Sequence, residues 1–237
     1  FLNPAGLLQL QGANIETAYR HFQTASEYTM HNFMVQAAEN NPDTLFPLSV
    51  TYMKTGSGLP GENSETKELH FTLAQSLTKQ LSFGADFGRY TYKLKAGSFD
   101  ETHWNYRFGA MYIYKPNLGF GLVLSNLKRT NFSFLQRSIE FGANYVFDNF
   151  FRFTADYVFP IQNNPDRDGI FMVGAEHMFN GQFPLRMGYR YDGLITKNYG
   201  TLGFGWNGPR IGFNYAFEKN LSKTKDYGHS IDLKIYF

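Results

Sequence analysis

The last eight residues of the chain, Ser230–Phe237, read Ser-Ile-Asp-Leu-Lys-Ile-Tyr-Phe, and every second residue from Ile231 onward is apolar. Successive side chains of a β-strand point to opposite faces, so this alternation predicts a strand with one apolar and one mainly polar face. The same alternation recurs upstream in Ile211–Glu218, Leu202–Trp206, Leu185–Tyr191, Phe151–Phe159 and Ile139–Phe147. No segment shows the apolar period of a helix over a useful length, which favours an all-β protein.

The composition of the 237 residues narrows the class of protein further. Aromatic residues make up 18% of the chain, so the apolar content is too high for a disordered protein. The sequence has no cysteine, which excludes disulfide bonds and cysteine-ligated metal sites. The formal net charge of +2 gives no strong attraction for nucleic acid. Mean hydropathy is -0.37 and no run of about 18 apolar residues is present, so no transmembrane helix is predicted.

The alternation and the intervening turn residues predict about fourteen antiparallel strands of the length that crosses a membrane. Their approximate spans are 14–22, 27–39, 46–56, 66–78, 81–95, 103–115, 118–128, 135–147, 150–161, 169–179, 183–194, 199–207, 210–220 and 229–237. The fifth span changes phase near Arg89, and we interpret this change as a β-bulge. Pro47 and Pro184 lie near strand starts, where the missing N–H group does least harm.

The connections between the predicted strands fall into two classes. Those after even-numbered strands are mostly tight and rich in turn-forming residues, as in Pro116-Asn117 and Asn180–Gln182. Those after odd-numbered strands are longer and polar, as in Gly56–Glu65 and Gln162–Asp168. An outer-membrane barrel has short periplasmic turns and longer extracellular loops. The sequence therefore predicts an all-β, antiparallel, up-and-down transmembrane barrel with modest extracellular loops and both termini on the periplasmic side.

Alternation also assigns each strand residue to the outside or the inside of this barrel. The apolar face is rich in Phe, Tyr, Leu and Ile and is predicted to contact lipid. Its lipid-facing positions include Phe141, Phe153, Tyr157, Leu185, Phe204, Phe213, Tyr215 and Leu233. The opposite face carries small and polar residues with charges of both signs, and is predicted to line the lumen. Its charged lumen-lining positions are Asp86, Arg107, Glu140, Arg152, Asp156, Glu176, Arg186, Arg190, Glu218, Asp232 and Lys234.

The inward charges have two interpretations. Acidic and basic side chains can pair and fill the interior, or they can line a water-filled path. We favour pairing for most of them. Inward glycines such as Gly109, Gly121 and Gly142 leave local space, in which a plug segment could approach the wall.

Both ends of the chain resemble a known family. Phe1–Leu7 reads Phe-Leu-Asn-Pro-Ala-Gly-Leu and is similar to the NPAGL opening of outer-membrane barrels in the fatty-acid-transporter (FadL-type) and PorV-like superfamily. Leu185–Tyr191, Leu202–Gly205 and Phe213–Phe217 follow in an order similar to the C-terminal half of those proteins. The terminal Phe237 resembles the signal that the outer-membrane assembly machinery of Gram-negative bacteria reads.

The resemblance implies a fourteen-stranded barrel in the outer membrane of a Gram-negative bacterium, with an N-terminal segment folded into the lumen. We expect residues 1–13 to form a short plug or periplasmic segment that includes Asn3, Pro4 and Leu7, and residues 14–237 to form the barrel. The lean chain also resembles porin-like barrels that associate into rings and enclose lipid. The expected partners are outer-membrane lipid or lipopolysaccharide, the assembly machinery and further copies of the chain, but not nucleic acid.

Catalysis has little support in the residues. The six histidines are scattered without metal-ligand spacing, and no Gly-x-Ser-x-Gly motif is present. His21, His103 and His229 lie near predicted loop-side ends, where they could meet acidic residues, but isolated interface histidines are the more common arrangement. We therefore expect no catalytic residue, no metal site and no cofactor.

These observations leave four hypotheses for the function. The first is a non-enzymatic porin-like barrel that binds, passes or organises small amphipathic molecules or lipid. The second is a homo-oligomeric structural ring that encloses lipid, and the third is a lipid-modifying barrel enzyme. The fourth is a soluble β-sandwich binding module, which is disfavoured because a sandwich does not need nearly every strand to alternate.

Overall fold

A computed structural model of the chain describes residues 3–10, 12–24, 28–41, 46–59, 62–94, 100–130, 135–148, 150–161, 168–222 and 225–237. A short 3-10 helix, Pro4–Gln9, precedes the strands. The strands are β1 (Gly12–Gln23), β2 (Thr29–Asn40), β3 (Leu48–Leu59), β4 (Glu62–Ser76), β5 (Leu81–Leu94), β6 (Asp100–Lys115), β7 (Leu118–Ser125), β8 (Ser138–Phe147), β9 (Phe151–Pro160), β10 (Ile170–Phe179), β11 (Phe183–Asp192), β12 (Lys197–Asn207), β13 (Ile211–Asn220) and β14 (Tyr227–Tyr236).

The fourteen strands form one closed antiparallel barrel in which each strand pairs with its neighbours along the chain. β1 closes the sheet by pairing with β14, from Asn14 opposite Tyr236 to Gln23 opposite Tyr227. Closure satisfies the backbone hydrogen-bonding groups that the first and last strands would otherwise expose at a sheet edge. The all-β, up-and-down barrel predicted from the alternation is therefore confirmed, including its strand number.

The tight turns after the even-numbered strands lie together at one end of the barrel, which we call the short-turn end. The turn between β10 and β11 is reversed by Asn180 and Gly181, which both have positive φ values of 48° and 67°. The turn between β8 and β9 uses Asp148 in the same left-handed region, with φ of 48°. The opposite end, where the odd-numbered strands finish, is called the loop end below.

The predicted bulge near Arg89 is wrong. β5 pairs with β4 and with β6 in continuous register on both sides of this residue. Arg89 instead lies exposed on the outer face of a strand of 14 residues. Because about 9–11 residues suffice to cross a bilayer, a strand of this length can carry an outward charge beyond the hydrocarbon layer. The one register shift among the described pairs lies in β6, between Ile113 and Lys115.

The predicted loop over Gly56–Glu65 is also mostly wrong. β3 continues to Leu59 and β4 begins at Glu62, so most of this segment is paired strand. The polar composition that suggested a loop reflects the loop-end extension of both strands. At the N-terminus, β1 begins at Gly12, two residues before the boundary predicted at residue 14.

Most of the outward positions carry exposed Phe, Tyr, Leu and Ile side chains. Of the predicted lipid-facing residues, seven are between 37% and 56% exposed: Phe141, Phe153, Tyr157, Leu185, Phe204, Phe213 and Leu233. Tyr215 also lies on this face but is partly buried, and its hydroxyl is 2.6 Å from Nδ1 of His229. No helix in the described part of the chain is long and apolar enough to cross a membrane.

Leu202→Arg and Thr201→Arg form a matched pair, because these neighbours in β12 point to opposite faces. Leu202 is exposed outside, whereas Thr201 faces the interior opposite Glu218 of β13. Arginine at position 202 should lower the free energy of unfolding by about 2–4 kcal/mol, the cost of a cation near the bilayer centre. Arginine at position 201 should lower it less, because the interior is polar and offers an acidic neighbour.

Denaturant unfolding in lipid vesicles measures both free energies against the unchanged protein. A larger loss for Thr201→Arg than for Leu202→Arg would show that the assignment of faces is inverted, and equal losses would contradict it.

Candidate functional site in the barrel interior

The predicted lumen-lining residues lie on the inward face, alternating along the strands with outward residues. They fall into three groups, which are a buried cluster on β4–β6, a charge network on β9–β14 with β1, and the wall of a cavity on β6–β10. Asp86 and Arg107 belong to the first group, Glu176, Arg186, Arg190, Glu218, Asp232 and Lys234 to the second, and Glu140, Arg152 and Asp156 to the third.

The N-terminal 3-10 helix packs against the inward face of β4, β5 and β6 near the short-turn end. Asn3 begins the helix, because its side chain accepts a hydrogen bond from the Ala5 N–H at 2.9 Å. The same side chain donates from Nδ2 to the carbonyl oxygen of Ala110 in β6 at 3.0 Å. Pro4 follows at the first helical position, where its missing N–H is no loss.

The helix is held by an apolar contact and by a second asparagine. Leu7 is fully buried against Ala38 and Ala74, which leave room for it on β2 and β4. Asn40, at the end of β2, donates from Nδ2 to the carbonyl oxygens of Leu8 and Leu10 at 3.0 and 2.7 Å. These contacts satisfy carbonyl groups at the C-terminal end of the helix and attach it to the wall.

Glycines form the part of the wall on which the helix rests. A Cβ atom at Gly84 would collide with the backbone of Pro4 and Ala5, and one at Gly109 would collide with the Asn3 side chain. Gly121 also faces Asn3, whose Nδ2 would lie 3.1 Å from an added Cβ. The close approach of helix and wall therefore depends on the absence of side chains at these positions.

A buried polar cluster lies on β4 and β5, towards the loop end from the helix. His70 places Nδ1 2.9 Å from Asp86 and Nε2 3.2 Å from Glu68. Since a carboxylate can only accept, this geometry is that of a doubly protonated imidazole donating to both acids. Thr72 donates to the second Asp86 oxygen at 2.9 Å, and the ring of Tyr90 meets His70 edge-on at 5.3 Å.

The charge network defined above includes charged side chains on β9, β10 and β11. Arg186 donates from Nε to Glu176 at 2.6 Å and from a terminal nitrogen to Asn214 at 2.6 Å. Asn214 donates in turn to Asp232 at 2.8 Å. Arg152 lies 3.5 Å from the other oxygen of Glu176. The network ties neighbouring strands together across the inner wall.

Nearer the loop end, the same network continues with ion pairs that join β11, β13 and β1. Glu218 accepts from Arg20 at 2.8 Å and from Arg190 at 3.2 Å. The Arg190 guanidinium also lies over the ring of the buried Tyr199, 4.3 Å from its centroid. Beside it, Lys197 pairs with the buried Asp226 at 2.9 Å. Lys234 pairs with Glu16 at 3.4 Å, nearer the short-turn end of the paired strands β1 and β14.

A cavity of about 640 Å³ remains between the helix and the wall of β6–β10. Asn3 and Gln9 contribute to its boundary, and it extends to the turn at Pro116 and Asn117 at the short-turn end. Its inward wall mixes apolar residues, which are Met111, Ile113, Val123, Val146, Val158 and Met172, with polar ones, which are Lys115, Glu140, Asn144, Arg152, Thr154 and Asp156.

The polar groups of this cavity differ in how far they are satisfied within the protein. Glu140 accepts from the hydroxyls of Ser125 and Ser138 at 2.5 and 3.1 Å. Asp156 lies against Gly142, where an added Cβ would meet its carboxylate at 2.5 Å. Arg152 is about half exposed to the cavity even though it also faces Glu176. The cavity therefore offers both charge signs beside apolar surface.

Within the described residues, the histidines are not grouped with other ligands as a metal site. His103 pairs with Glu101 at 2.9 Å, which lies two residues earlier in β6. His21 and His229 contact other histidine and aromatic rings, rather than the acids that their loop-side position suggested. No group of three or more potential metal ligands is arranged to hold an ion in the described part of the chain.

The closed barrel with an aromatic outer face and a partly filled polar interior defines the class, a transmembrane β-barrel of the outer-membrane type. The family model described as "Type IX secretion system membrane protein PorP/SprF" matches residues 69–232, and the chain belongs to this family. No curated protein matches the chain in sequence.

Several solved structures share the fold. The CymD monoaromatic hydrocarbon channel superposes with a TM-score of 0.76 over 100% of this chain and 91% of its own, at 14% identity. The toluene transporter TodX of Pseudomonas putida has a TM-score of 0.71 at 13% identity, over 98% of this chain and 91% of its own. The toluene transporter TbuX of Ralstonia pickettii has the same score and identity, over 99% and 92%.

At these identities the likeness shows that the chain shares the barrel fold of these proteins.

Gly84→Val should loosen the N-terminal helix from the wall, because the new side chain would occupy the position of the Pro4–Ala5 backbone. The chain lacks cysteine, so a Leu7→Cys variant carries one thiol at a fully buried position. Maleimide labelling of this thiol in detergent should be at least tenfold faster when Gly84→Val is added.

Gly119→Val is the matched control, because the nearest atom to its added Cβ is 3.8 Å away and no clash arises. Slow labelling in all three proteins, with unchanged thermal stability, would contradict the packing of the helix on this wall.

Proposed function

We propose that the protein is a non-catalytic barrel of a Gram-negative outer membrane that binds and passes a small amphipathic molecule through its interior cavity. The cavity of about 640 Å³ carries this proposal. Its volume lies within the range of about 300–1,000 Å³ that is typical of small-molecule sites.

The chemistry of the lining supports an amphipathic ligand rather than a purely hydrophobic one. Met111, Val123 and Met172 provide apolar surface, while Glu140, Asp156 and Arg152 converge on the same space. A small number of polar groups on an otherwise apolar wall is the usual way in which a site orients its ligand. The neighbours named as hydrocarbon channels and toluene transporters favour a molecule of about the size of one aromatic ring.

Passage through the barrel would require a movement. The N-terminal helix occupies the β4–β6 side near the short-turn end, and paired charges cross the β11–β13 wall nearer the loop end. We propose that residues 1–13 act as a plug, with Asn3, Pro4 and Leu7 holding it in place. Displacement of this plug would widen the cavity towards the periplasm.

The family match favours a second function. The family is described as a membrane protein of the Type IX secretion system, so this barrel is a candidate component of that machinery. In that role the closed interior would stabilise the barrel, and the function would lie in contacts with other proteins. A homo-oligomeric ring enclosing lipid stays a hypothesis, as does recognition of the exposed terminal Phe237 by the assembly machinery.

Gly119→Trp tests the cavity directly. Gly119 lines the cavity, and an added Cβ would make only an ordinary contact of 3.8 Å with the Tyr112 carbonyl oxygen, so an indole at this position should occupy the cavity. Purified protein should bind monoaromatic probes that carry a charge, such as benzylamine or benzoate, better than toluene. The variant should bind them at least tenfold more weakly in titration calorimetry.

Gly56→Trp is the control, because Gly56 also has free space around an added Cβ but lies on the outer face of β3. Equal probe binding by the Gly119→Trp variant and the unchanged protein would contradict a ligand site in the cavity. A cell that needs the barrel for protein secretion but secretes normally with Gly119→Trp would favour the second function.

A further inference from the structure

Three histidines lie side by side on the outer face of the barrel. His21 of β1 is directly opposite His229 of β14 on one side and His31 of β2 on the other. Each lies two residues from the end of its strand at the loop end. The three strands include the β1–β14 seam, so residues from both termini of the barrel form one row.

The rings contact each other and neighbouring tyrosines. The centroids of His21 and His31 are 4.6 Å apart, and their Nδ1 atoms are separated by 3.3 Å. The Tyr19 hydroxyl lies 2.7 Å from Nδ1 of His31, and the Tyr215 hydroxyl lies 2.6 Å from Nδ1 of His229. Tyr and Trp side chains are enriched where a barrel meets the headgroup layer, so these contacts place the row at the loop-end interface.

The tyrosine contacts determine which ring nitrogen is available. When a phenol donates to Nδ1 of a neutral imidazole, the proton of the ring lies on Nε2. Within the described residues, Nε2 of His31 and of His229 has no hydrogen-bond partner. Both rings can therefore donate from Nε2 to an acceptor outside the protein.

The surroundings of the row favour an anion. Lys219 of β13 is opposite Tyr227 of β14 on the same outer face, and Gly56 of β3 is opposite His31 and leaves space beside it. Glu65 of β4 is opposite Gly56, and its carboxylate is already paired with Lys54 and Lys67 at 2.9 and 3.3 Å.

Among the described residues, the other neighbouring groups add no unpaired negative charge that would oppose an anion at the three histidines. Asp100 of β6 lies opposite Lys93 of β5 and is paired with it at 2.6 Å. Tyr227 donates its hydroxyl to Gln23 at 3.1 Å and packs its ring 5.6 Å from His229. Because the described residues contain no metal-holding group of three ligands, a cation is the poorer candidate ligand.

We propose that His21, His31 and His229 form a binding site for the phosphate of a lipid headgroup in the loop-end leaflet of the membrane. The acyl chains of that lipid would run along the apolar outer surface below the row, where Phe33 and Ile231 are exposed. Hydrogen bonds from the imidazole N–H groups, together with the Lys219 ammonium, would hold the phosphate. In an outer membrane the lipid with this chemistry is lipid A.

The test compares lipid A with the same lipid after removal of its phosphates, using native mass spectrometry of detergent-purified protein. The unchanged protein should retain lipid A at least tenfold more strongly than the dephosphorylated lipid. The triple variant His21→Gln, His31→Gln, His229→Gln should lose this preference.

His177→Gln is the matched control, because His177 is also an outward histidine but lies at the short-turn end between Phe151 and Phe179. It should retain the full preference for lipid A. The single variant His21→Gln, which leaves both tyrosine-bonded rings intact, should show an intermediate loss and guards against misfolding of the triple variant.

Three results would overturn the proposal. Equal retention of both lipids by the unchanged protein would show that the phosphate is not recognised. Full competition by inorganic phosphate at millimolar concentration would show a site for the free ion. Histidine-dependent binding of zinc, without any effect of the substitutions on lipid A, would show a metal site.

Discussion

The pairing of β1 with β14 is the interaction on which the rest of this molecule depends. A bilayer core offers no hydrogen bonds, so a membrane-spanning sheet must satisfy every backbone group internally, and only a closed barrel does so. Closure also commits each residue to one face, because a slip of one residue would exchange the inside and the outside of a strand. Leu185 and Arg186 show the result, since one is exposed outside while the other donates to Glu176 inside.

The number of strands sets the volume of the barrel interior that side chains must fill. About eight strands enclose a space that the wall's own side chains fill, whereas barrels of about 16 strands leave a channel. Fourteen strands lie between these limits, so the wall's own side chains leave part of the interior unfilled. Three groups of residues occupy part of that space. The N-terminal helix rests on glycines, the His70 cluster occupies the β4–β5 side, and Arg190 with Glu218 bridges the β11–β13 side. The cavity beside β6–β10 is the volume that remains, which is why it combines apolar wall with charges.

Local sequence carries the period of two, the turn residues and the charge of each inward position, and these suffice for the strand number and the two faces. The partners of inward groups depend on register between distant strands, so Arg20 could not be matched to Glu218, 198 residues away. His70 was missed although Glu68, His70 and Thr72 occupy successive inward positions, because their acid partner Asp86 belongs to the next strand. The histidine row was missed for the same reason, since it forms only when the barrel closes. The error at Arg89 has another origin, because alternation does not reveal where a long strand leaves the bilayer.

The central claim is that residues 3–10 occupy and close part of the interior. Single-channel recording in planar bilayers of the full chain and of a chain lacking residues 1–10 tests it most directly, with heat-modifiable gel mobility to show that both barrels are folded. The account predicts small or absent current steps for the full chain and larger, stable steps for the shortened one, because its cavity would join the space that the helix vacates. Identical currents from the two folded proteins would contradict the account.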